Sequence, residues 1–142
     1  MVHREAAGPT LLQDELHVVR SVGRVVWCEV IIPKTTQPVA GAEAAKRVGK
    51  YLIGQVLHRR SPWLGLILDV RQGPSVFGPI TRDVCMNLFQ HAEEARKPFA
   101  VVTVPSRPLH AQYSELAAAH APQYALVTDS AAQAMDWMTR SR

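Results

Sequence analysis

The 142-residue sequence predicts an α/β domain: a mainly parallel sheet with an N-terminal antiparallel hairpin strand, packed with four helices. Three observations point there. Short runs rich in Val, Ile and Leu recur at residues 25–32, 63–70, 99–104 and 124–127. Segments with apolar residues three and four apart lie between them. Proline, glycine or serine marks nearly every junction. Strands alternating with helices pair in parallel through right-handed crossovers, so the expected order is β-β-α-β-α-β-α-β-α.

Residues 1–13 have no periodicity and contain Gly8 and Pro9, so a flexible N-terminal tail is expected, with a single domain over 14–142. Residues 15–22 and 24–32 are β-branched runs hinged at Gly23, which predicts a hairpin. The second run is nearly continuous, as in a strand buried on both faces. Ala45, Val48, Leu52 and Val56 then recur at helical spacing, and Ser61-Pro62 should stop this helix near Arg60. Gly49 and Gly54 inside it each cost about 1 kcal/mol relative to alanine. Close approach of the helix to the sheet would explain them.

The run from Trp63 to Val70 predicts a buried strand, and the loop at 71–78 leads into a second helix opened by Pro79. Ile80, Val84, Leu88 and Ala92 make its stripe, which should end before Lys97-Pro98. Residues 99–104 form the next strand, 105–119 the third helix with its entry, and 124–127 the last strand. Ser130 with Gln133 is a capping-box pair for the closing helix. Ala131, Ala134, Met135 and Met138 stripe that helix, and Trp137 lies at the border of the stripe.

Composition narrows the function. The net charge is +4, with twelve arginines among sixteen basic residues scattered along the chain. A nucleic-acid interface concentrates charge and interleaves aromatics, so nucleic acid is not an expected partner. No apolar run approaches the roughly 20 residues of a membrane span, and no basic leader precedes an apolar stretch, so a cytoplasmic protein is expected. Cys28 and Cys85 should be reduced and buried. The six histidines never pair at i, i+4 and are expected in solvent, so no metal site is predicted. Gly49-Lys50 fails the phosphate-loop template, because Ala44 replaces the first glycine and Tyr51 the hydroxyl residue. No nucleophile elbow occurs. No catalytic residue and no cofactor are predicted; the chain reads as a non-enzyme.

Asp69 ends the central strand, where ligands gather in open parallel sheets. It is also placed to accept backbone N–H groups of the following loop. Three stretches, Leu66-Ile67-Leu68-Asp69-Val70, Phe99-Ala100-Val101-Val102, and the closing segment Tyr124-Ala125-Leu126-Val127-Thr128-Asp129-Ser130 with its helix, occur in an order that resembles STAS domains. That is the fold of bacterial anti-sigma-factor antagonists and of the cytoplasmic ends of sulfate transporters, and the resemblance spans residues 15–138. It implies a regulatory domain that binds a protein partner through the loop after the central strand and the start of the second helix. Asp69, Arg71, Ser75, Phe77, Gly78 and Thr81 are the candidate contact residues. Counting from Asp69, the family's phosphorylatable serine position falls on Phe77, Gly78 and Pro79, so the resemblance does not extend to the phospho-switch. Ser75 and Thr81 flank that spot. The alternative is a small hydrophobic, lipid-like ligand, as in CRAL-TRIO-type relatives, with Leu64, Leu66, Phe77, Ile80 and Phe99 as lining candidates. No oligomeric state is predicted.

Overall fold

The computed structural model describes residues 8–31, 38–73, 77–105 and 108–140. Its elements are β1 (Thr10–Gln13), β2 (His17–Val22), β3 (Val25–Val30), α1 (Pro38–Gln55), β4 (Gly65–Asp69), α2 (Pro79–Ala95), β5 (Phe99–Val102), α3 (Pro108–His120), β6 (Ala125–Thr128) and α4 (Ala131–Thr139). The six strands form one sheet in the order β1-β2-β3-β4-β5-β6. β1, β2 and β3 pair antiparallel, and β3 to β6 pair in parallel.

The β2–β3 hairpin pairs Val22 with Val25 across a loop of Gly23 and Arg24. Gly23 has φ 61°, and glycine in the first loop position suits the twist of the flanking strands. The expected tail needs correction at its end. Thr10–Gln13 is a strand on β2, with Leu12 opposite Val19 and Gln13 opposite Val18. A slip in register between Thr10 and Leu12 keeps this edge short, and Leu11 and Leu12 pack against the core. Residues 1–7 lie outside the described residues.

Because β3 to β6 advance in one direction, right-handed crossovers put α1, α2 and α3 on the same face of the sheet. The packing agrees. Val26, Cys28, Leu66, Leu68, Phe99 and Val101 meet the buried sides of those helices, including Val48, Leu52, Leu88, Phe89 and Tyr113. The opposite face carries Val25, Trp27, Ile67, Ala100 and Val102, covered by Ala131, Ala134 and Met138 of α4. Alternation along β4 therefore sends Leu68 and Val70 to the three-helix side and Asp69 to the α4 side.

Several boundaries shift for local reasons. α1 ends at Gln55 rather than near Arg60, because the N–H groups of Val56 and Leu57 both turn to the carbonyl of Leu52. Gly49 packs against α2 rather than the sheet: a Cβ there would lie 2.6 Å from Val84 Cγ1, whereas a Cβ on Gly54 meets nothing within 4 Å. α2 starts with Pro79 at N1 and ends where Arg96 turns left-handed (φ 58°, ψ 41°). The buried side of α2 is Cys85, Leu88, Phe89, Ala92 and Ala95, so the expected stripe is displaced and Ile80 is 44% exposed. In α4 the Ser130 side chain accepts from the Gln133 N–H at 3.0 Å, as capping requires. The reciprocal half of the box is rebuilt: Thr128 Oγ1 donates to Gln133 Oε1 and accepts from the Ser130 N–H. Among the described residues, no helix is long and apolar enough to cross a membrane.

Candidate functional site

At the carboxyl ends of β3 and β4 the three-helix layer does not close on the sheet. Between them lies a cavity of about 620 Å³, within the ~300–1,000 Å³ typical of small-molecule sites. Its floor is Cys28 and Val30 of β3 with Leu68 and Val70 at the end of β4. One wall is α1, through Ala45, Val48 and Leu52, where Gly49 brings α1 close to α2. The other wall is the start of α2, including Ile80, Thr81, Val84 and Leu88. Leu109 and Tyr113 of α3 close the far end. Nearly all of these side chains are apolar.

An aromatic corner holds that far end. Phe77 packs edge-on against Tyr113 with ring centroids 5.2 Å apart, and its N–H donates to Gln112 Oε1 at 3.3 Å. The loop before α2 is thereby tied to α3. Cys85 Sγ donates to the Tyr113 hydroxyl at 3.6 Å. Burial pushes the Cys85 thiol up to about 11, despite that bond. Burial, joined by the nearby Cys85, also raises the Tyr113 hydroxyl well above its ordinary value. Cys28 is raised further, first by burial and then by the negative fields of Asp14 and Asp69. Both thiols are thus protonated at neutral pH and poor nucleophiles. They are free and buried, as expected. No hydrogen bond joins either to a histidine among the described residues: His110 Nδ1 bonds Thr103 Oγ1 at 2.6 Å, and His91 Nδ1 bonds the Asn87 carbonyl at 2.9 Å.

The expectation of solvated histidines fails at His17. It lines the pocket with only 7% exposure. Asp14, three residues upstream in the β1–β2 turn, caps that turn with Oδ1, accepting the N–H groups of Leu16 and His17 at 2.8 Å each. The same oxygen accepts from His17 Nδ1 at 3.1 Å, and Arg47 of α1 reaches Asp14 Oδ2 at 3.6 Å. Desolvation pushes the His17 pKa down, outweighing the pull of Asp14, so the ring is neutral at pH 7. Desolvation also acts on Asp14, upward, but the Leu16 amide and His17 together hold its carboxyl below the ordinary value. The Asp14-x-x-His17 spacing was the signal in the sequence for this pair.

The candidate contact residues divide. Phe77, Gly78 and Thr81 line the pocket. Asp69 and Arg71 do not. They pair on the α4 side, with Arg71 Nε donating to Oδ1 at 2.9 Å and its terminal nitrogen to Oδ2 at 2.7 Å. Asp69 Oδ1 also accepts the Arg71 backbone N–H at 3.2 Å, so this carboxylate caps the loop. Ser75 lies outside the described residues. Of the expected lining residues, Phe77 and Ile80 face the cavity, while Leu64, Leu66 and Phe99 pack elsewhere. Among the described residues, no group of three His, Cys, Asp or Glu side chains is arranged to hold a metal ion.

No family model matches the chain, and no curated protein matches it. Among solved structures, the NMR structure of the protein TM1081 is similar, with a TM-score of 0.56 at 14% sequence identity. The match covers 94% of this chain and 99% of that one. At that identity the likeness shows a shared fold alone.

Proposed function

We propose that this chain is a non-enzymatic α/β domain of the STAS type that binds a small hydrophobic molecule in the pocket between its sheet and helices α1 and α2. The observation that carries this reading is the roughly 620 Å³ cavity lined almost wholly by apolar side chains. An apolar space of that size forfeits packing against the side chains around it, and an apolar ligand restores those contacts. Its position at the carboxyl ends of parallel strands is where α/β sheets take ligands. Binding rather than catalysis fits the protonated thiols and the solitary imidazole.

The neutral dye N-phenylnaphthylamine, which fluoresces in apolar surroundings, tests this directly. It should bind one site, and Ala45→Phe, which fills the cavity from α1, should weaken it at least tenfold with the melting temperature held. Equal binding by both proteins sinks the proposal.

A regulatory protein partner at the same end of the sheet is the second reading, favoured by one observation. Among the described residues Ile80, beside Gly78 and Pro79, is the large apolar side chain left open to solvent at the pocket rim. A ligand seated beneath that rim would change what such a partner meets.

A further inference from the structure

The pocket holds an imidazole that its apolar walls leave unexplained. His17 is buried at the β1–β2 end, and its Nδ1 is committed to Asp14 Oδ1 at 3.1 Å. A carboxylate only accepts, so Nδ1 carries the proton and the neutral ring keeps a lone pair on Nε2. Nε2 has no hydrogen-bond partner among the described residues, and its ring lines the cavity. An acceptor that faces an apolar cavity without a protein partner is a place where a ligand's donor gains a hydrogen bond.

The groups facing this ring are few. Asp14 approaches from the turn before β2 and Arg47 from α1, and they pair with each other at 3.6 Å. Cys28, from β3, lines the same cavity with its thiol protonated. Among the described residues no lysine or arginine lines the cavity. Among the described residues the site therefore presents the imidazole acceptor and the hydroxyls of Thr81 and Tyr113, and no cation. A carboxylate, also an acceptor, would face the lone pair in a place of low polarity and would enter only with a proton.

We propose that His17 is the head-group receptor of the pocket, and that its ligand is an otherwise apolar molecule bearing a hydroxyl that donates to Nε2. Asp14 acts as a positioning residue: it fixes the tautomer that leaves Nε2 accepting. This inference rests on the apolar-pocket reading and adds the chemistry of the ligand's polar end.

The test is displacement of N-phenylnaphthylamine from the full chain at about pH 8 by three molecules of similar shape: decanol, methyl nonyl ether and decanoate. Decanol should compete about tenfold better than the ether, since the ether leaves Nε2 unmet. Decanoate should be weak at pH 8 and strengthen as pH falls, because its binding takes up a proton. In His17→Phe, alcohol and ether should displace the dye alike, whatever that variant's own dye affinity. If that variant does not fold, nitrogen NMR of the wild-type protein reads the same contact. The Nε2 resonance of His17 should then move with decanol and stay with the ether. Equal competition by alcohol and ether, or strong decanoate binding at pH 8, overturns the inference while leaving the apolar pocket in place. Failure of the dye to bind overturns both.

Discussion

His17 shows how much one burial decision sets. Its pKa is lowered in the folded chain, so between that folded value and the ordinary 6.5 the unfolded chain binds more protons. Stability must then fall as pH drops through 6.5 towards the folded value, and His17→Phe should remove that part of the loss. Thermal melts of both proteins from about pH 7.5 to pH 5 check this. Parallel curves would mean that the ring is not desolvated as described. Asp14 adds a second loss further down: its lowered pKa contributes stability above 3.8 that disappears as pH falls through its folded value. Two glycines of α1 make a contrasting pair. Gly49→Ala drives a methyl into the stiff Val84 side chain and should cost about 1–3 kcal/mol. Gly54→Ala meets open space and should gain about 0.5–1 kcal/mol, as alanine does over glycine in a helix. Chemical denaturation of the two variants should move the midpoint in opposite directions.

At the scale of elements, α4 is the part most open to a clean deletion. Truncation after Asp129 removes Ala134 and Met138, both fully buried, and uncovers Ile67, Ala100 and Val102. Burying one methionine is worth roughly 1.5–3 kcal/mol, a large share of a typical ~5–15 kcal/mol stability. The shortened chain should be insoluble or strongly destabilised, and a melting temperature within a degree or two of full length would show α4 to be a mere appendage. The docking of this helix was legible from its apolar spacing, as were the three crossover helices and the parallel strands between them. β1 was not. Four residues beside Gly8 and Pro9 carry no period of their own, and their order comes from the ladder that β2 offers. The site was half legible. Phe77, Gly78 and Thr81 belong to it because the chain after β4 must pass over the sheet end. Asp69 was misplaced, although alternation from Leu68 already turns it to the other face. His17 was missed because burial of an imidazole depends on α1 arriving above it, a contact between residues far apart in sequence.

At the scale of the molecule, the sheet separates two tasks. The face under α1, α2 and α3 holds the pocket, while the face under α4 is closed by Ala131, Ala134 and Met138. A change that weakens only α4 should therefore leave ligand affinity alone. Ser130→Ala, which deletes the cap donating nothing to the pocket, should cost about 1 kcal/mol and lower the melting temperature by a few degrees. Dye affinity measured well below that temperature should match wild type, and a parallel loss of affinity would show the two faces to be coupled.

The strand order bears on how the chain comes to be folded. Each strand in the sheet lies beside the strand that precedes it in the chain, from β1 to β6. No strand has to wait for a distant partner or be inserted between two that have already joined. As the chain emerges during synthesis, every new strand finds its neighbour already present and its docking edge open. Structure can accumulate in the direction of translation, which keeps loop-closure costs small and shortens the time that a bare sheet edge is exposed to other chains. β6 completes the ladder, and α4 follows it in the chain to cover the open face.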